Sequence, residues 1–334
     1  MPERQGAAQM KRRYATVDVF TDRMFGGNPL AVVLDAAGLT GADMQSIALE
    51  FNYSETTFVL PPDDPAHTAK VRIFTPRTEV PFAGHPNVGT AFVLARESRF
   101  SAAAAAGRFV FEEAAGLVPL TLLFEHGAVV GAELRAPESL SRRSVVTRDI
   151  AAACLSLDPA DIALQAHAPQ VISVGLPFLT VELCSREALR RCKPDSAAHA
   201  ALLPLDGADA VFAYWRAPDD KLASAGSAEQ SPATVLHART FAPLDGVMED
   251  PATGSACAAA ITLLASLKPD DVAHGGDRRT PNEAPSERGW YIHQGVDMGR
   301  PSLLLGRTAS QAGKLRETFI GGRCVAVLEG SIVL

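Results

Sequence analysis

The chain has no C-x-x-C pair, no long apolar run and no excess of basic residues, and each absence removes a class of function. Its five cysteines, Cys154, Cys184, Cys192, Cys257 and Cys324, are odd in number and scattered. They suit reduced thiols rather than a disulfide framework or a zinc site. The eight histidines are equally dispersed, so no metal-ligand cluster is expected. No stretch approaches the roughly 20 apolar residues that span a bilayer. Lys and Arg number 31 against 38 Asp and Glu, and the net charge of −7 argues against nucleic acid or an anionic membrane as partner. A small anion held by local donors stays compatible with that charge. Met1 to Arg13 is polar and basic with no apolar core, so residues 1–13 read as a disordered tail and not as a secretory leader. A cytoplasmic protein is expected. No G-x-G-x-x-G joins a strand to a helix and no Walker A motif occurs, which sets the corresponding nucleotide folds aside.

What is present is an ordinary globular composition, 47% hydrophobic and 21% charged, in 334 residues, a length comfortable for two domains. One pattern occurs twice, about half the chain apart. Arg72-Ile73-Phe74-Thr75-Pro76 precedes Pro81-Phe82-Ala83-Gly84-His85, and Arg239-Thr240-Phe241-Ala242-Pro243 precedes Pro251-Ala252-Thr253-Gly254-Ser255. Both read R-x-F-x-P and then P-x-x-G-[His/Ser]. The repeat implies two similar folding units, each presenting a glycine and a polar residue at the start of a helix.

Periodicity supplies the elements around these tips. Strands are expected at 14–20, 30–34, 53–60, 69–74, 108–112 and 118–125, and helices at 41–51 and 86–97. Thr40 to Asp43 has the form of a capping box. In the second half, helix signals fall at 148–155, 159–163, 185–192 and 256–267. Strand signals there fall at 171–174, 179–183, 210–215, 302–306, 323–328 and 331–334. Residues 217–233 and 268–288 read as long loops, and the alanine run 102–106 as a surface connection. Many short strands with one long helix per half give an α+β class, two units each with a curved sheet around a helix.

Several residues could carry chemistry. At Gly84-His85-Pro86 a helix start offers free amides and dipole to an anion, and His85 adds a proton donor or acceptor. Gly254-Ser255 is the equivalent, although Ser255 by itself is an ordinary N-cap. Two such tips facing one cleft would hold a carboxylate. Asp250 could orient a polar group of a substrate or polarise His85, or merely form an Asp-Pro turn. Strand alternation turns Glu249 the other way. Glu55, between a helix and a strand, is either an exposed charge on an edge strand or a general acid/base raised in pKa by apolar walls. Ser255 lacks the G-x-S-x-G context of an acyl-transfer nucleophile. A two-cysteine racemase is disfavoured because the tips carry His85 and Ser255, with Cys257 two residues past the tip.

These residues resemble the phenazine-biosynthesis PhzF-like isomerase family. The resemblance rests on Asp18-Val19-Phe20, Gly27-Asn28-Pro29, Ser54-Glu55-Thr56, Glu79 to Pro86, Glu249 to Ala256 and Gln294 to Ser302, and runs from about Tyr14 to the C-terminus. It implies a fold like that of diaminopimelate epimerase, with two pseudo-symmetric domains, each a barrel-like, mostly antiparallel sheet around a central helix. The domains are then expected at 14–128, with a closing strand at 324–334, and at 129–323. It implies a homodimer with no metal or organic cofactor and a small carboxylate substrate in the interdomain cleft. It implies catalytic roles for Glu55, His85, Asp250 and Ser255, with Ser54, Gly84, Gly254 and Asn28 binding substrate. The reaction implied is a proton shift with Glu55 as the acid/base. The alternatives are an amino-acid epimerase or racemase of the same fold, needing a second base, and a non-catalytic small-acid binding protein. The helix after Ser255 and the loop 268–288 depart from the family pattern and leave the substrate open.

Overall fold

The computed structural model describes residues 11–218, 234–267, 286–311 and 314–334. It divides into two compact units. Unit 1 takes the described residues up to Phe25, residues 29–132 and residues 323–334. Unit 2 takes residues 26–28 and the described residues from Glu133 to Gly322. The expected boundary at 128 falls at the start of a strand, and the division follows Ala132 instead.

Unit 1 contains β1 (Lys11–Val19), β2 (Asn28–Val33), α1 (Gly41–Phe51), β3 (Glu55–Leu60), β4 (Ala69–Phe74), β5 (Glu79–Val80), α2 (Gly84–Ala95), α3 (Ser101–Ala105), β6 (Arg108–Glu113) and β7 (Gly116–Glu125). Strand β8 (Ala128–Arg135) runs through the boundary. Unit 2 follows with β9 (Ser141–Val145), α4 (Arg148–Leu155), β10 (Gln170–Ser173), β11 (Pro177–Glu182), α5 (Arg186–Arg191), α6 (Ser196–Leu202), β12 (Val211–Arg216), β13 (Thr234–Ala242), β14 (Val247–Asp250), α7 (Gly254–Leu267), β15 (Ser286–Gln294) and β16 (Ser302–Gln311). The last strand, β17 (Lys314–Val333), pairs with β16 through its first part, and its last part, Cys324 to Val333, pairs with β1.

The two units repeat one pairing plan. In unit 1, β2 and β3 are parallel, β4 is antiparallel to β3 and to β5, β6 is parallel to β4, and β7 is antiparallel to β6. In unit 2 the same relations join β11 with β12, β13 with β12 and β14, β15 with β13, and β16 with β15. A helix follows β5 and β14 in turn, and both helices are interior. Every residue of α2 from Gly84 to Leu94 is buried, and in α7 every residue from Ala256 to Leu264 is buried. A helix that is apolar all round needs a sheet on several sides, which is what each unit supplies.

Local chemistry places the ends. Thr40 accepts from the Asp43 amide while Asp43 accepts from the Thr40 backbone, so α1 starts on the capping box. Gly89 lets α2 approach the sheet. A Cβ there would lie 2.6 Å from Leu30 and 2.7 Å from Val19.

Some expectations need correction. Strand β1 begins at Lys11, so Lys11 to Arg13 are not tail; they pair with Val333 to Ser331. The alanine run forms α3, with Ala104 buried, and is not a bare connection. Residues 323–328 and 331–333 are not parts of two strands but belong to β17, which ends before Leu334. Of the two expected loops, residues 219–233 and 268–285 lie outside the described residues, and 286–288 open β15. Among the described residues no helix is long and apolar enough to cross a membrane.

Candidate active site

In unit 1 the repeat builds its tip from the backbone outward. Arg72 of β4 forks onto Glu79 of β5 through two bonds of 2.7 Å and lies over the Phe74 ring at 5.1 Å. This clamps β5 to β4 and delivers the chain to Gly84. Helix α2 starts there from Ala83, which offers no side-chain cap. Pro86 has no N–H, so the donors at this helix start are backbone amides of Ala83, Gly84 and His85.

The His85 side chain is 5% exposed, and its Nε2 stands 3.6 Å from Oε2 of Glu55, whose side chain is 19% exposed. Burial lowers the His85 pKa to about 3, so the imidazole is neutral. The separation exceeds a hydrogen bond and the contact is not a salt bridge, because a neutral ring faces the carboxyl. Strand β3 lies between β2 and β4, so Glu55 is not on an edge strand as the plainer reading held. Ser54 precedes it and is half-buried.

In unit 2 Arg239 repeats the clamp. It forks onto Glu249 at 2.9 and 2.6 Å, lies over Phe241 at 4.9 Å, and also donates to the Leu189, Arg190 and Cys192 carbonyls that end α5. As alternation required, Asp250 points away from this pair. Its Oδ1 accepts from Asn28 Nδ2 at 2.8 Å and its Oδ2 from the Thr253 hydroxyl at 2.6 Å. Desolvation raises the Asp250 pKa to about 6, against the lowering effect of those bonds. Asn28 is fully buried and also donates to the Ala252 carbonyl, so it holds Asp250 and the tip backbone. Gly254 is buried and Ser255 half-buried, in the first turn of α7.

The strand registers show which positions correspond. Phe74 is opposite Thr56, and its repeat partner Phe241 is opposite Val211. Glu55 therefore corresponds to Ala210, which is buried. At the tips, Val80 corresponds to Asp250 and His85 to Ser255. Each unit thus carries one of the two acids expected from sequence, at a different place in the plan.

Gln294 was not singled out as a site residue from sequence. It is fully buried, accepts from the Thr253 amide at 3.1 Å, and donates to the Asp250 carbonyl at 2.9 Å and to the hydroxyls of Thr253 and Thr240. Its place at the head of the Gln294 to Ser302 motif was the available signal. That motif also ties down the neighbouring loop. Arg300 donates to the Gly26 and Gly27 carbonyls, and Ser302 donates to the Pro251 carbonyl at 2.9 Å. Cys257 is buried, with its thiol pushed up by desolvation, which removes it as a base. Among the described residues no group of three or more His, Cys, Asp or Glu is arranged to hold a metal ion.

Residues 17–330 match the family of phenazine biosynthesis-like proteins. An uncharacterized isomerase of Mesorhizobium japonicum is 36% identical over 329 residues, which cover 97% of this chain and 99% of that protein. The trans-2,3-dihydro-3-hydroxyanthranilate isomerase of Pseudomonas chlororaphis is 34% identical over 326 residues, covering 96% of this chain and 99% of that protein. Among solved structures, a Bacillus anthracis phenazine biosynthesis protein of the PhzF family has a TM-score of 0.74 at 21% identity, covering 97% of this chain and 100% of that one. That likeness is one of fold.

Proposed function

We propose, from the premise that this chain belongs to the phenazine biosynthesis-like protein family and is an isomerase, that it shifts a proton within a small carboxylate substrate, with Glu55 as the group that carries the proton. The observation behind this reading is the pairing of the Glu55 carboxyl with a buried, neutral His85 at an uncapped helix start. The amides there suit an anion, and the neutral ring can give or take a hydrogen bond without the charge that would hold Glu55 permanently ionised.

Glu55 takes a proton from one carbon, exchanges it with solvent and delivers a proton to another carbon. His85 and Ser255 bind polar groups of the substrate, and Gly84 and Gly254 present backbone. Asp250, fixed by Asn28 and Thr253, anchors an amine or hydroxyl. The inequality of the two units favours a proton shift over epimerisation. A two-base epimerase needs acids on both faces of its substrate, and the position that corresponds to Glu55 is Ala210. The ligand named for the Pseudomonas chlororaphis relative, trans-2,3-dihydro-3-hydroxyanthranilate, is the first substrate to test. A homodimer, which the family resemblance implies, belongs to the same proposal and is read by sedimentation.

General acid–base help of this kind is worth about 10²–10⁴-fold. Glu55→Gln is therefore expected to lower kcat at least ~100-fold, with thermal stability unchanged. Turnover close to wild type in that variant would show that another group moves the proton.

A further inference from the structure

The equivalence of the two units extends to a residue that the reaction does not use. Ala69 pairs with Phe111 and Lys70 with Glu112, while their counterparts Leu236 and His237 pair with Ile292 and His293. The next residues, Glu113 and Gln294, therefore correspond. So do Asn87 and Cys257, each three residues past its tip glycine. In unit 2 the Gln294 amide holds the tip, accepting from the Thr253 amide and donating to the Asp250 carbonyl. In unit 1 a carboxyl stands in that place.

That carboxyl is in an environment made for a neutral group. Both Glu113 oxygens are out of contact with solvent and neither has a well-formed hydrogen bond. The Asn87 side chain adjoins them. Its N–H is aligned on the Ala83 carbonyl at 3.0 Å, and its own buried Oδ1 lacks a partner. The Asn87 amide assists the carboxyl only weakly, and Asn87 Oδ1 and both Glu113 oxygens are buried acceptors without a well-formed partner, a deficit that a proton on Glu113 relieves.

The charges that surround Glu113 are engaged elsewhere. The groove it borders is lined by Asp63, Lys70, Arg72, Glu79 and Glu112. Lys70 pairs with Asp63, Arg72 with Glu79, and Glu112 with His67 and the Asp63 and Asp64 amides. The facing strand β7 brings only Gly116 and Leu117 to the groove, and the one titratable residue of α2 is the neutral His85. Burial pushes the Glu113 pKa up to about 8, only partly offset by Asn87.

We infer that Glu113 is a positioning residue for the unit 1 tip, a neutral carboxylic acid whose O–H donates to Asn87 Oδ1 in the place where unit 2 uses the Gln294 amide. Through Asn87 it fixes the Ala83 carbonyl and hence the direction in which Gly84 and His85 enter α2. The inference concerns the tip alone and does not depend on the substrate.

The sign of its pH dependence follows from linkage. The folded state keeps the proton that the unfolded chain releases near pH 4.3, so the stability contributed by protonated Glu113 is lost from about pH 4.3 to about pH 8. Glutamine keeps the donor and has no proton to lose. The experiment compares wild type, Glu113→Gln and Glu113→Leu by urea unfolding and by the backbone amide resonances of Gly84 and His85 across that range. We expect the unfolding midpoints of wild type and Glu113→Gln to converge at the acid end, with wild type lower at the alkaline end. We expect the Gly84 and His85 resonances to titrate in wild type, to stay at their acid-end positions in Glu113→Gln, and to be displaced at every pH in Glu113→Leu. A midpoint difference independent of pH, or tip resonances that coincide in all three proteins, overturns the inference. Should Glu113→Leu fail to fold, the carboxyl carbon resonance of Glu113 in wild type decides. A titration at ordinary carboxylate pH contradicts the proposal.

Discussion

His85 reaches its tip with the ring out of water, and burial alone lowers its pKa to about 3. In the unfolded chain an imidazole titrates near 6.5. The unfolded state therefore binds more protons between these values, and folding stability is lost as pH falls from about 6.5 toward about 3. His85→Gln, which cannot protonate there, is expected to flatten that part of the stability–pH curve in chemical denaturation. An unchanged slope would mean that the ring is charged in the fold. Asp250 carries the opposite sign. Its pKa is raised to about 6, so stability contributed by its protonated form is present at acid pH and declines from about pH 4 to about pH 6. His85 stood out in sequence by its place in the repeated motif and Asp250 by adjoining it, while Glu55 stood out only by its place between a helix and a strand. Asn28 was singled out through the family resemblance, but sequence could not tell that its amide serves Asp250 and Ala252. Glu113 and Gln294 were not legible because a buried polar side chain on a strand looks the same in sequence as an exposed one.

The elements show where local rules were enough. Helix α1 matches its expected span because a capping box starts it and Asn52 in a left-handed conformation ends it. Strand β9 was missed because four of its five residues are exposed and carry no apolar alternation. Strand β13 was missed because it lies inside a sheet with four consecutive buried residues, and β15 because its alternating burial places the polar Gln294 on the same buried face as Trp290 and Ile292. Helix α6 is two turns long, with His199 buried in it, too short a stretch for periodicity to show. The loop after β15 offers a test at this scale. Gly295 has φ +70°, and a Cβ there would lie 2.6 Å from the Pro251 carbonyl oxygen. Gly295→Ala is therefore expected to cost about 1–3 kcal/mol of folding stability, measured by urea unfolding, through strain and displacement of the chain that leads to Gly254. A variant as stable as wild type would show that the turn tolerates a side chain.

For the whole molecule, the repeated motif foretold two units of one plan, and the strand pairings bear that out to the level of parallel and antiparallel order. It did not foretell how the units differ, because that depends on register. Glu55 against Ala210, and Val80 against Asp250, become comparable only once the strands are paired. This inequality carries the functional proposal, in which Glu55 serves as the one carbon acid/base and Asp250 as the anchored carboxylate. The most direct test is hydrogen exchange in D₂O, followed by NMR. Trans-2,3-dihydro-3-hydroxyanthranilate and a panel of small amino and hydroxy acids are incubated with wild type and with Glu55→Gln. The account predicts deuterium at carbon with wild type alone, in a product that is a positional isomer. Exchange that persists in Glu55→Gln, or deuterium at a single inverted stereocentre, would contradict it.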